Sequence, residues 1–288
     1  MSLAVAAIHF LNPAPLMWDL EHPPLAAELA QRYSLRYMPP SQCAAEVLSG
    51  KSDLGLIPIA SLTPELAIVP GCAIASLSDV RSILLLVKNP GNLPVAEAIK
   101  QVRTVTGDTA SRSSIAYAHI LFERFYGAAP VFTEQPADPV TMLANADAAL
   151  LIGDPALLAR EHRQEIEAAH GSPLLWLDIA ALWREHTSLP WVAAVWAVRP
   201  ESLPREGISS QQLVADLNAS RDHGLLHVDD LVREWTPRLP VPAATIHTYL
   251  THNIHYALDA ECLQAIVLFR KLAMETGILP PLPDLNLL

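Results

Sequence analysis

The sequence predicts an α/β fold in two lobes with a helical C-terminal extension. Three observations carry this expectation. First, short apolar runs recur that stop on polar or turn residues: Ile8-His9-Phe10-Leu11-Asn12-Pro13, Leu54-Gly55-Leu56-Ile57-Pro58 and Ala148-Ala149-Leu150-Leu151-Ile152-Gly153-Asp154-Pro155. Each run is too short for a helix and reads as a buried strand. In open α/β sheets the ends of such strands are where ligands bind. Second, the alternation of strand and helix patterns restarts near residue 80. Third, 288 residues, 51% of them hydrophobic, suffice for about two domains with a large core.

The elements follow in order. Residues 4–11 read as a strand, and Pro23-Pro24 opens a helix near 25–32. Residues 33–38 alternate as a second strand. Pro39-Pro40-Ser41 forms a turn, with Ser41 as N-cap of a helix that runs to Leu48 and ends at Gly50. Residues 54–57 are the third strand. The second series opens with a strand at 80–87. Strands follow at 102–106, 130–133, 148–152 and 174–178, and helices at 113–125, 139–145 and 154–162. In the helix at 113–125, Ile115, Ala118, Leu121, Phe122 and Phe125 recur near the 3.6 period. Residues 191–198 form another apolar strand. From Glu201 the pattern is helical, interrupted once at 203–207. Asp259 starts the last helix and Gly277 stops it, leaving 279–288 as an extended strap.

This layout places residues 1–82 and 197–288 in one lobe and 83–196 in the other. Strands 80–87 and 191–198 would cross between them as a paired hinge. A single larger sheet without a cleft is the alternative.

Composition narrows the function. Net charge is −11 and Lys/Arg runs are absent, which argues against nucleic acid as a partner. An anionic ligand would have to be held by local donors rather than by the overall field. No apolar stretch approaches the ~20 residues of a membrane span. Cys43, Cys72 and Cys262 are far apart and odd in number, against a disulfide framework or a metal motif. The N-terminus lacks a basic segment and a small-residue cleavage site, so a cytoplasmic protein is expected.

The candidate site residues sit at strand ends. Asn12 can donate two hydrogen bonds and accept two, or can serve as a turn residue bonding its own backbone. Ser113-Ser114 follow Asp108-Thr109-Ala110-Ser111-Arg112 at a helix start. Hydroxyls and free N–H groups there suit a carboxylate or phosphate, with Thr109 and Ser111 as further donors, or they simply cap the helix. Gly153 allows close backbone approach to a ligand. Asp154 is either a ligand-facing carboxylate or the N-cap before Pro155. Ser82 lies on the expected hinge strand as a donor into the cleft. His186 reads as a surface-loop residue. Dinucleotide, Walker and Gly-x-Ser-x-Gly motifs are absent. His247, His252 and His255 lack the His-Glu-x-x-His arrangement. The expected chemistry is therefore free of metal and cofactor.

Six phrases in order carry a family resemblance. They are Phe10-Leu11-Asn12-x-x-Pro15-Leu16, Gly50-x-x-Asp53-x-Gly55-Leu56-Ile57-Pro58, Val80-x-Ser82, Ser111-Arg112-Ser113-Ser114, Leu151-Ile152-Gly153-Asp154-x-Ala156-Leu157 and Leu189-Pro190-Trp191-Val192-x-Ala194-x-Trp196. Together they resemble the chorismate dehydratase family of the futalosine route to menaquinone. The resemblance implies a type II periplasmic-binding-protein clamshell and a reaction in which chorismate loses water to give 3-[(1-carboxyvinyl)oxy]benzoate. It implies that Ser113 and Ser114 grip one carboxylate of the dianion. Asn12 and Ser82 would contact the ring carboxylate or the departing hydroxyl, and Ser41 with the backbone at Gly153-Asp154 would complete the pocket. Neither a cofactor nor a metal is implied, and the oligomeric state is left open. His9, Pro13 and Ser113 depart from the commoner residues of the family. A 1,4-dihydroxy-6-naphthoate synthase-like enzyme of the same pathway and a non-catalytic small-acid binding protein are the competing readings.

Overall fold

A computed structural model describes residues 2–288. Two sheets organise it. The first contains β1 (Leu3–Ile8), β2 (Tyr33–Met38), β3 (Leu54–Pro58), β4 (Ala67–Ser76), β10 (Trp191–Val198) and β11 (His255–Leu258), in the order β11-β4-β10-β3-β1-β2. The second contains β5 (Ile83–Lys88), β6 (Thr104–Asp108), β7 (Val131–Gln135), β8 (Ala148–Ile152) and β9 (Leu174–Asp178), in the order β7-β6-β8-β5-β9. In each sheet three strands run parallel, and each added strand pairs antiparallel with its neighbour.

The core strands are apolar because both faces are covered. All of β3 and β8 is buried. Trp183, Trp191 and Trp196 are fully buried between strands and helices. The helix Pro40–Leu48 packs on β3, and the helix Ser113–Ile120 follows β6, continuing as a π-helical turn at Leu121–Phe125. Among the described residues no helix is long and apolar enough to cross a membrane.

Several elements differ from the sequence reading. β4 was not anticipated because Pro70-Gly71 interrupts its apolar run. The structure absorbs both at a bulge, where the register against β10 shifts between Val195↔Ala73 and Ala197↔Ile68. β10 is a central strand of the first sheet, paired to β3 and β4, while β5 lies in the second. The paired hinge of 80–87 with 191–198 is therefore not formed, and residues 191–196 belong with the first sheet. The chain instead crosses between the sheets at two short segments beside the Ser76↔Trp191 pair. Each contains a non-glycine residue with left-handed backbone, Arg81 (φ 63°) and Ser188 (φ 61°). Helices at Arg163–His170 and Ile179–Thr187 were also missed. The second places His186 near a helix end, with its ring stacked on Phe125 at 4.5 Å rather than in a surface loop. Ser41 lies inside the first turn of its helix, whose N-cap is Pro39. The strap docks as expected, with Leu287 bridging Ile68 and Leu288 N–H bonded to the Ile68 carbonyl at 3.0 Å.

Asp178 secures the first crossing. Its carboxylate accepts from Val80 N–H (3.2 Å) and Arg81 N–H (2.7 Å), and from Ala180 and Ala181 N–H at the start of the helix Ile179–Thr187. Asp178→Ala leaves the crossing and the helix start without their acceptor. We expect a loss of about 2–4 kcal/mol, measured by denaturant unfolding, from the lost cap plus partly buried N–H groups left unpaired.

Candidate functional site

A cleft opens where the strand ends of the two sheets meet. Its walls are apolar: Ile8 and Ile74 from the first sheet, Ile83 and Ile152 from the second, and Phe10 from the loop after β1. Its polar groups come from Asn12 and from the stretch Ser111–Ser114.

The helix Ser113–Ile120 supplies the donors. The first turn of any helix leaves backbone N–H groups without intrahelical partners, and the helix dipole favours an anion there. The turn leading into it is shaped by Asp108, a buried residue whose carboxylate accepts Ala110 N–H at 2.9 Å while its carbonyl accepts Ser111 N–H at 2.9 Å. Burial holds the Asp108 carboxyl above the usual carboxylate range, although its N–H partners oppose this. The turn delivers Ser111, 1% exposed, with an Oγ that is buried and has no hydrogen-bond partner. Ser114 is buried at the cleft as well. Across from them, the Oδ1 of Asn12 is likewise buried and unpaired. Buried polar side-chain atoms are normally satisfied, so two unpaired ones facing one cleft beside a helix N-terminus mark a place for a ligand.

Other expected residues have different work. Ser113 lines the cleft, but its hydroxyl donates to the Ala193 carbonyl at 2.8 Å and accepts Ala60 N–H at 3.3 Å. It braces the helix against the first sheet, as does Tyr117, whose hydroxyl donates to the Val192 carbonyl at 3.1 Å. Ser82 is fully buried, and its Oγ accepts from the Tyr249 hydroxyl at 2.7 Å, outside the cleft lining. Thr109 is exposed, with its N–H on the Gln135 carbonyl. Ser41 is replaced at the cleft by its neighbour Pro40. Asp53, prominent in the sequence, is a structural anchor: it accepts Ala4 N–H (2.9 Å), Ser202 Oγ (2.8 Å) and Arg205. Arg112 reaches the cleft rim, where it is paired with Glu134 at 2.9 Å.

Gly153 and Asp154 hold the second strand end against the first. Gly153 has φ 61°, and a Cβ there would lie 2.5 Å from the Phe10 ring. Only glycine combines that backbone with that proximity. Asp154 does not line the cleft. Its Oδ1 accepts Leu11 N–H at 3.0 Å, tying the helix Gly153–Glu161 to the loop that carries Asn12. The apolar wall residues at the strand ends were not anticipated as site residues, although the runs that contain them were.

The chain matches the menaquinone biosynthesis family over residues 3–275. It belongs to that family. Among the family's curated relatives, the chorismate dehydratase of Thermus thermophilus is 28% identical over 230 residues, covering 76% of this chain and 79% of the relative. Solved structures share the fold at lower identity. A protein of Archaeoglobus fulgidus superposes with a TM-score of 0.70 at 12% identity, covering 96% of this chain and 98% of its own. A Candida albicans protein, described as having the generic periplasmic binding protein fold, gives 0.67 at 13%, covering 100% and 98%. The alkanesulfonate-binding protein SsuA of Xanthomonas axonopodis, bound to MOPS, gives 0.67 at 16%, covering 97% and 94%. The family member described here thus has the periplasmic-binding-protein fold, with a helical C-terminal region.

Two predictions follow from the geometry of this family member. Gly153→Ala should cost roughly 2 kcal/mol or more, because it strains the backbone and drives a Cβ into Phe10; thermal unfolding measures it. Asp154 gives a pH dependence. Burial pushes its pKa up to about 6 from 3.8, with Leu11 N–H and His9 acting in the opposite direction. Between those values the folded protein binds more protons than the unfolded chain, so stability falls as pH rises from about 4 to about 6. Asp154→Asn keeps the acceptor for Leu11 but does not ionise. Its unfolding free energy should exceed wild type by at most about 3 kcal/mol at pH 7.5, and the difference should shrink to nothing as pH falls below 3.8.

Proposed function

We propose that this protein is a chorismate dehydratase, converting chorismate to 3-[(1-carboxyvinyl)oxy]benzoate and water. The observation that carries this reading is the cleft. It presents a helix N-terminus, two unpaired buried side-chain groups and apolar walls, and its lining contains neither a carboxylate nor an imidazole. The homology to a curated chorismate dehydratase supports it. The substrate is a dianion with a non-aromatic ring. Its ring fits the isoleucine and phenylalanine walls, and a carboxylate fits the Ser111 and Ser114 hydroxyls with the N–H groups of their helix.

The chemistry asks little beyond positioning. The C–O bond to the ring hydroxyl breaks, and the hydroxyl leaves with the electron pair. The carbon bearing the enolpyruvyl ether loses its proton, and that C–H pair enters the ring. Aromatisation provides the driving force. The proton passes to the substrate's own enolpyruvyl carboxylate, the base at hand in a cleft without another, and then leaves with the hydroxyl as water. Asn12 holds the departing hydroxyl, accepting its O–H at the unpaired Oδ1 and offering its amide N–H to the oxygen as charge develops. Ser111, Ser114 and the helix fix the dianion so that its carboxylate stands over the reacting C–H.

Incubation of the purified protein with chorismate, followed by chromatography, tests the proposal. Enzyme-dependent appearance of 3-[(1-carboxyvinyl)oxy]benzoate is expected. Asn12→Ala and Ser111→Ala should each lower kcat by roughly 10²-fold or more, the range for loss of one preorganised donor. A chorismate-induced rise in Tm without turnover would replace the enzyme with a binding protein of the same fold. Full activity of the Asn12 variant would remove Asn12 from the mechanism.

A further inference from the structure

Asn12 is carried on an arm, residues 11–19, and the arm lies on the long helix Ser210–Leu226 of the C-terminal extension. Four positions in the C-terminal half of that helix or just beyond it, Ser220, His223, Gly224 and His227, follow the i, i+3, i+4, i+7 spacing that places side chains on one face. The buried members, Ser220 and Gly224, are small where a core-facing position is normally apolar and bulky; His223 and His227 lie exposed at the edge, and each of the four meets the arm. The fully buried Ser220 donates its hydroxyl to the Leu16 carbonyl at 2.8 Å and accepts Asp19 N–H at 3.0 Å. The imidazole Nδ1 of His223 meets the Asp19 carboxylate at 2.8 Å. His227 stacks on Trp18 with centroids 4.4 Å apart. Gly224 has no side chain because there is no room for one: a Cβ would fall 2.1 Å from the Pro15 carbonyl oxygen and 2.6 Å from its Cα. Those are backbone atoms, so the obstruction cannot rotate away.

Between this clamp and Asn12 the arm is stiff. Pro13 and Pro15 fix two φ angles. The Leu16 N–H bonds the Pro13 carbonyl at 2.8 Å, and the Ala14 N–H bonds the Leu11 carbonyl at 3.0 Å. At the far end Leu11 is held by Asp154. A displacement at Pro15 or Leu16 is therefore transmitted to Asn12 rather than absorbed.

We propose that Ser220 and Gly224 are positioning residues for Asn12: they set where the arm rests on the C-terminal helix, and hence where the amide stands in the cleft. The role in turnover rests on the dehydratase reading; the clamp itself does not. Gly224→Ala lifts Pro15, and Ser220→Ala frees Leu16 and Asp19. Gln211→Ala, on an exposed part of the same helix, is the control.

Two measurements test this. Hydrogen exchange reads the clamp without any substrate. In Ser220→Ala the amide of Asp19, whose N–H bonds the Ser220 hydroxyl, should exchange at least about tenfold faster than in wild type, while those of β8 stay unchanged. Equal exchange would overturn the clamp. Chorismate turnover reads the transmission. Gly224→Ala and Ser220→Ala should lower kcat by about 10- to 100-fold with a smaller change in KM, and Gln211→Ala should leave both near wild type. In an Asn12→Ala background neither change should lower kcat further, since a residue that acts only through Asn12 has nothing left to position. Additive losses in that background would assign Ser220 and Gly224 a merely structural role. Should Gly224→Ala fail to fold, Ser220→Ala decides the question alone. Wild-type protein inert toward chorismate would refute the dehydratase reading and the catalytic role together, and the exchange result would still decide the clamp.

Discussion

The first turn of the helix Ser113–Ile120 has to point backbone N–H groups into a cleft walled by isoleucines. Unsatisfied donors in such a place are costly, and they are useful only if an anion completes them. Much of the surrounding structure manages this constraint. Asp108 shapes the turn that feeds the helix. Ser113 spends its hydroxyl on the Ala193 carbonyl and Ala60 N–H, and Tyr117 spends its own on Val192, so the helix is fixed to the first sheet at two points one turn apart. What remains free at this end is Ser111, Ser114 and the N–H groups themselves. Within four consecutive residues the donor set is thus divided between a brace, Ser113, and hydroxyls left free at the cleft.

The second half of the site is brought in from the other end of the chain. Asn12 leaves β1 and is held between Asp154, on a helix of the second sheet, and the helix Ser210–Leu226. Neither anchor is near it in sequence. The periplasmic-binding-protein fold supplies the sheets and the cleft. The C-terminal helices supply a floor on which a short arm can lie at a defined height. That explains why a long helix gives up apolar contact at Ser220 and Gly224. Its packing energy there is exchanged for hydrogen bonds to the arm and for close backbone approach.

Much of the fold was legible because buried parallel strands leave a clear trace, as in Ala148–Ile152 followed by Gly153-Asp154-Pro155. β4 was illegible because its proline and glycine sit at a bulge, which only the partner strands reveal. Assignment of β10 to the first sheet depended on pairing, and pairing is not written in a single apolar run. Of the site, Asn12, Ser111, Ser113, Ser114 and Gly153 were visible as polar or small residues at strand ends, and all five line the cleft. Ser82 and Ser41 carry the same sequence signal but turn elsewhere, since the direction of a hydroxyl is decided by distant partners such as Tyr249. Gly224 was overlooked for the converse reason. A glycine in a helix says that something comes close, without saying that Pro15 is what comes.

The acidic character of the chain gives the last constraint. A net charge of −11 works against capture of an anion, and several carboxylates lie close to the cleft. Each is occupied by a donor of its own. Asp108 is held by Ala110 N–H, Asp154 by Leu11 N–H, Glu134 by Arg112, and Asp178 by four backbone N–H groups. These pairings turn the negative groups toward the scaffold, and none of the four lines the cleft. The same carboxylates that would repel a dianion from the cleft instead hold in place the turn, the arm and the crossing that shape it. In the dehydratase proposed above, a cleft lined by no acid leaves the substrate's own carboxylate as the proton acceptor. On that reading, the electrostatics that would admit an anion and the economy of the proposed mechanism have one structural origin.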